Sequence, residues 1–242
     1  MQETAIANLV AFMSASAGIG LATRFRFSHK QLCALISFAS GTLFGAALFS
    51  ITPHALEHFS WTATAAALFS GYALFYLITR FVAHICPACS ATHFEEHEKE
   101  HRKDGSLILL AAALTLHSLL DGLAVAFGHQ HGGEAIFVTV LIHKFPEGFA
   151  LCALLIQAGF SHKNSAWLAL LLESSTLVGW AIGTLLLARF GWIDTLELLL
   201  IHCGGGFIFL GLHALLNEIR KHAPFIPAAS FALGLILIYC IR

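Results

Sequence analysis

Two short segments of this chain each pair an imidazole with a carboxylate one helical turn apart. His117 and Asp121 are i and i+4 within HSLLDG (117–122), and His143 and Glu147 repeat the interval within HKFPEG (143–148). On a helix, residues four apart stack on one face, so each segment offers two ligand atoms side by side. Two such helices can surround one divalent cation with four first-shell atoms. That donor set suits zinc, iron(II), manganese or cadmium better than copper(I), which prefers sulfur, or magnesium, which keeps its waters. The alternative is structural, with each pair tying helices together by hydrogen bonds. Pro146 stands between His143 and Glu147. It lacks an N–H and pushes off the carbonyl one turn back, at Ile142, so a kink is expected there, with a carbonyl freed for a cation or water.

The segments that carry these residues are otherwise apolar. Hydrophobic residues make up 57% of the 242-residue chain and charged residues 11%, against about 45–50% and about 25% in a typical soluble domain. Eight apolar runs, at roughly 3–23, 32–53, 59–83, 106–128, 134–158, 165–189, 194–219 and 224–241, each reach the length needed to cross a hydrocarbon core about 30 Å thick. The expected fold is therefore all-α: a polytopic membrane bundle of eight transmembrane helices, one integral domain over 1–242, with the metal site between the fourth and fifth. The first run begins with Gln2 and Glu3 rather than a basic region, so it is expected to be a retained helix. Lys and Arg concentrate in the connections after runs 1, 3, 5 and 7, which places both termini on the non-cytosolic side. The net charge of −1 gives no general electrostatic case for nucleic acid. Cys33, Cys152, Cys203 and Cys240 fall inside runs, as apolar filler.

Ionisable groups at membrane depth cost at least about 2.5–3.5 kcal/mol each on insertion scales, so they are expected to face the bundle interior and find partners. The paired motifs HSLLDG and HKFPEG resemble those of the ZIP (Zrt/Irt-like) metal-ion transporters. The glycine-rich stretches ASGTLFGAALFSITPHALEH and GGGFIFLGLHALLNE, and the loop HICPACSATHFEEHEKEHRKDG between runs 3 and 4, extend the likeness over the whole chain. The resemblance implies that His117, Asp121, His143 and Glu147 coordinate the transported metal, with Ser50, three residues before Pro53, at the position of a ligand on the second helix. It also implies uptake into the cytosol, and the expected mechanism is a buried site exposed alternately to each side by rocking helix groups. Many members hold a second metal with the residues that follow the two histidines, here Ser118 and Lys144. A protonated lysine has three donors and no acceptor, so the expectation is a mononuclear site in which the Lys144 ammonium stands in for the second ion and bridges the carboxylates of Asp121, Glu147 and Glu173. On run 6 the family motif points to Thr176, and Glu173 lies about one turn earlier.

Other polar residues lie along a path in and out. His54, Glu57 and His58 end run 2, His129 and His131 fall on the same side, and His213 and Glu218 lie near the inner end of run 7. In the loop at 84–105, His93, His97 and His101 recur every fourth residue beside Cys86 and Cys89, a pattern for a cytosolic metal collector. The partners expected are divalent metal ions and the bilayer, with a homodimer left open. No resident cofactor and no enzymatic activity are expected. An intramembrane zinc hydrolase is the alternative, although an HExxH ligand pair is absent from the sequence.

Overall fold

Serines open several of the helices. Ser28 accepts from the Gln31 backbone N–H while the Gln31 side chain takes the Ser28 N–H, a reciprocal cap. Ser60 and Ser161 accept from the N–H groups of Ala63 and Asn164. The computed structural model describes residues 2–25, 28–83, 106–128, 134–190, 193–221 and 224–241. These residues form α1 (Gln2–Arg24), α2 (29–58), α3 (61–83), α4 (Ser106–Gly128), α5 (Glu134–Gln157), α6 (162–190), α7 (Ile193–Lys221) and α8 (Phe225–Ile241), with no strand among them. Two helices loosen into π-turns, α2 at Ala47–Ile51 and α3 at Ile78–Ala83. Helix α6 breaks at Ser174, between His162–Glu173 and Ser175–Phe190.

Among the described residues, five segments are long and apolar enough to cross a membrane: Glu3–Arg24, Cys33–His58, Trp61–Arg80, His162–Leu186 and Glu197–Arg220. The chain is an all-α polytopic membrane protein, and its outward faces are correspondingly apolar, with Phe69, Trp167, Leu171 and Leu185 all exposed.

In lipid, apolar surface gains little from meeting more apolar surface, so helices associate where small residues let backbones touch. Here that rule pairs the eight helices, because each of four couples carries a glycine on both sides. A Cβ on Gly18 of α1 would strike the Phe145 carbonyl of α5, and one on Gly148 would strike Ala15. Gly41 and Gly234 meet Phe231 and Phe38 across α2 and α8, and Gly71 and Gly205 meet His202 and Leu68 across α3 and α7. Gly122 and Gly179 meet Thr176 and Leu119 across α4 and α6.

The α4–α6 couple bears directly on the polar centre, because α4 carries His117 and Asp121 and α6 carries Glu173. Alanine favours a helix interior by about 1 kcal/mol over glycine. At Gly122, however, the added methyl lands on backbone that cannot yield without moving α6. Gly122→Ala is therefore expected to lower the thermal unfolding temperature in detergent, by an overpacking cost of about 1–3 kcal/mol beyond the propensity gain. Gly20→Ala, where nothing lies within 4 Å, is the control and is expected to be neutral or stabilising. Equal melting of the two variants would refute the notch.

Candidate metal centre

Helix α4 brings His117, Ser118 and Asp121 to its inner face, and α5 meets it there with His143, Lys144 and Glu147. His117, Asp121, His143 and Glu147 each offer a ligand atom, and the four atoms lie within 4.8 Å of one another. His143 Nε2 stands 3.1 Å from Asp121 Oδ2 and 4.0 Å from Glu147 Oε2, and His117 Nε2 stands 3.6 Å from the same Asp121 oxygen. Zinc–nitrogen and zinc–oxygen bonds of about 2.0–2.2 Å put tetrahedral ligands about 3.3–3.5 Å apart, so small rotamer adjustments suffice to close this set on one ion.

His143 Nδ1 lies 2.8 Å from the Thr139 carbonyl, which can only accept. Nδ1 therefore carries the proton, and a neutral His143 turns a bare lone pair at Nε2 toward the Asp121 carboxylate. Two acceptors 3.1 Å apart repel unless a cation, a second proton or a metal ion, is shared between them. A backbone carbonyl fixing the ring nitrogen opposite the ligand atom is a common support for metal-binding histidines. Thr139 was not singled out by sequence reasoning. Its role follows from being one turn before His143 on the same face.

Lys144 is fully buried and has its ammonium in the middle of the acids. Nζ lies 3.0 Å from Asp121 Oδ2, 2.8 Å from Glu147 Oε2, 3.0 Å from Glu173 Oε2 and 2.6 Å from Ser118 Oγ. Ser118 Oγ in turn is 3.2 Å from both Glu147 Oε1 and Glu173 Oε2, so it relays one donor to a carboxylate. Glu173 reaches this network from the break in α6. Thr176 does not, as its backbone carbonyl receives Asn8 of α1 and packs on Gly122. With all three carboxylates ionised, the ammonium leaves two negative charges among buried groups, the number that one divalent ion would neutralise. Asp121 Oδ1 and Glu173 Oε1 are also buried without a hydrogen-bond partner among the described residues, capacity that a cation would use.

Aromatic rings wall the imidazoles. Phe207 of α7 meets His143 and His117 edge-on at 6.1 and 6.3 Å, and Phe75 of α3 meets His117 at 6.3 Å. Helical periodicity marks such residues as core and nothing more, so sequence alone could not tie them to the site.

The remaining sequence-predicted residues stand apart from this cluster. Ser50 lies in the π-turn of α2, its hydroxyl buried and without a hydrogen bond among the described residues, and it is not among the four grouped donors. His54, Glu57 and His58 form a second group at the end of α2. His213 stacks on Phe209, ring centroids 5.1 Å apart, and Glu218 is fully buried beside Cys33. His202, given no role from sequence, bonds Ser70 of α3 at 2.8 Å. Cys86, Cys89, His93, His97, His101, His129 and His131 lie outside the described residues.

Comparison with known proteins identifies a family. The family model for ZIP zinc transporters matches residues 89–242. Zinc transporter SLC39A7 of Rattus norvegicus is 24% identical over 303 residues, covering 86% of this chain and 64% of that protein. The Mus musculus protein of the same name is 25% identical, covering 86% and 61%. Zinc transporter zipt-7.2 of Caenorhabditis elegans is 29% identical over 141 residues, 54% of this chain. The chain thus spans 64% and 61% of the length of the two rodent relatives.

Proposed function

The chain belongs to the ZIP zinc transporter family, and from that premise we propose that it moves divalent transition-metal ions, zinc foremost, across a membrane through the α4–α5 centre. The observation that carries this reading is the convergence of four ligand atoms from two helices around His143 Nε2 and Asp121 Oδ2, an arrangement that needs a shared cation. In this reading His117, Asp121, His143 and Glu147 ligate the ion. Lys144 occupies the position of a second ion, linking Asp121, Glu147 and Glu173 through its three donors with help from Ser118. The centre is mononuclear because the ammonium repels a second cation. The relatives are named as zinc transporters, which favours transport over the hydrolase alternative.

An apolar layer lies between this centre and the end of α2. Ile51, Ala55, Ala124, Leu200 and Ile201 pack in one cluster with Phe207. Ile51 is one turn before the α2 end residues, and Leu200 and Ile201 are one turn after Glu197 on α7. For an ion to pass on this side, α2 and α7 must part at that layer. Alternating access needs such a seal, and the π-turn at Ala47–Ile51 supplies a place where α2 can yield. There the Ala47 carbonyl takes both the Thr52 N–H and the Thr52 hydroxyl, and Pro53 offers no N–H. Uptake is into the cytosol, with both termini on the opposite side.

The test is zinc uptake into proteoliposomes that contain the full chain, with iron(II), manganese and cadmium as competitors. Zinc entering down its gradient, and displaced best by the borderline-soft ions, is the expected result. No zinc flux with correctly inserted protein would sink the proposal.

A further inference from the structure

The end of α2 reads HALEH, from His54 to His58. Two histidines at i and i+4 on one helix face converge on a single point, and the H-x-x-E-H spacing is one that zinc enzymes use to set two imidazoles on a metal. Here the rings of His54 and His58 stand 4.7 Å apart, and ligand atoms of His54, Glu57 and His58 lie within 4.8 Å of one another. A fourth candidate donor arrives from a distant part of the chain. Glu197, near the start of α7, places Oε1 3.8 Å from His54 Nε2. Glu197 is buried, whereas Glu57 and His58 are exposed at the helix end. The group therefore has a buried anionic floor and an exposed face.

This group is separate from the α4–α5 centre. Phe207 touches both central imidazoles, and Glu197 lies ten residues earlier on the same helix, about 15 Å away along the axis. The apolar layer of Ile51, Leu200 and Ile201 stands between the two.

We propose that His54, His58 and Glu197, with Glu57 beside them, form a second divalent metal site that joins the end of α2 to the start of α7. Two neutral imidazoles and one or two carboxylates match the borderline-soft divalent ions. Because its ligands come from the two helices that must part for passage, an ion bound here would hold them together. The site would thus both collect metal at this mouth and favour the sealed arrangement beneath it. Metal binding at this site does not depend on the central cluster being a transport centre.

Cobalt(II) reports directly, because tetrahedral nitrogen and oxygen ligation gives intense visible d–d bands. The protein is the full chain in nanodiscs, with Cys86, Cys89, His93, His97 and His101 replaced so that the loop contributes nothing. Equilibrium dialysis counts the ions, and the d–d bands report their ligation. Two cobalt ions per chain are expected. The His54→Ala, His58→Ala double variant is expected to lose one, and E197Q to weaken that same ion at least tenfold, while His143→Ala, Glu147→Gln leaves it in place. An unchanged count and spectrum in the His54→Ala, His58→Ala variant would overturn the site. Loss in that variant with no effect of E197Q would overturn the junction between α2 and α7. Should the central double variant instead bind both ions unaltered, the central reading fails and this one stands.

Discussion

Exchanging His143 for Ala together with Glu147 for Gln is expected to reduce zinc uptake by a hundredfold or more, with the protein still folded and inserted. Changes to residues that merely orient ligands cost about 10–100-fold in metal affinity, and this pair removes two of four ligands. His117 and Asp121 are one face of one helix, and two donors cannot outcompete the hydration of a divalent ion in a fixed geometry. Glutamine keeps the size of Glu147 and a hydrogen-bond acceptor for Lys144, so a collapse of the bundle is not expected. Uptake in proteoliposomes with melting temperature measured alongside separates loss of ligands from loss of fold. Retained uptake with intact folding would mean that the ion passes elsewhere.

A gentler companion isolates the support of the ligand. Thr139 acts through its backbone carbonyl, so side-chain substitution there leaves the His143 tautomer in place. Pro146, by contrast, stands inside the same helix three residues after His143. The helix nevertheless continues from Glu134 to Gln157 through it.

Several features were visible in the sequence because they are local. The i, i+4 pairs at 117/121 and 143/147 need only helical geometry to share a face. The apolar runs need only the thickness of a bilayer, and the family likeness lay in contiguous motifs around them. What could not be read is the meeting of distant segments. Glu197 and His54 are 143 positions apart in the chain, and nothing in the stretch around Glu197 distinguishes it from an interfacial acid. The four glycine couples were equally hidden, since Gly122 and Gly179 announce small contact surfaces without naming each other. Glu173 and Thr176 are three residues apart and face similar directions on an unbroken helix. The interruption at Ser174, which sequence periodicity does not reveal, separates them, leaving Glu173 on Lys144 and Thr176 on α1 and α4.

Lys144 carries the second large expectation. Its ammonium is the only positive group among Asp121, Glu147 and Glu173 in the described network, and removing one partner of a buried ionic group costs about 3–5 kcal/mol because the remaining charge is left uncompensated. Lys144→Met preserves length and apolar stem but deletes the charge. In metal-free protein it is expected to destabilise by that amount, with added zinc recovering most of the loss. The wild type responds less to zinc, since its lysine already offsets one carboxylate. Stoichiometry should change with it. With the ammonium gone, three carboxylates carry three negative charges, and the position held by Nζ, within 3.0 Å of three carboxylate oxygens, becomes available to a second cation. Lys144→Asp adds a ligand there and is expected to bind two ions at the centre instead of one. Thermal unfolding with and without zinc, and ion counting by equilibrium dialysis in the loop-substituted background, measure both effects. A Lys144→Met protein as stable as wild type without metal would show that the lysine is not the counter-charge of the cluster. A single ion at the centre of Lys144→Asp, with the total per chain unchanged from wild type, would show that the second position is closed by packing rather than by charge.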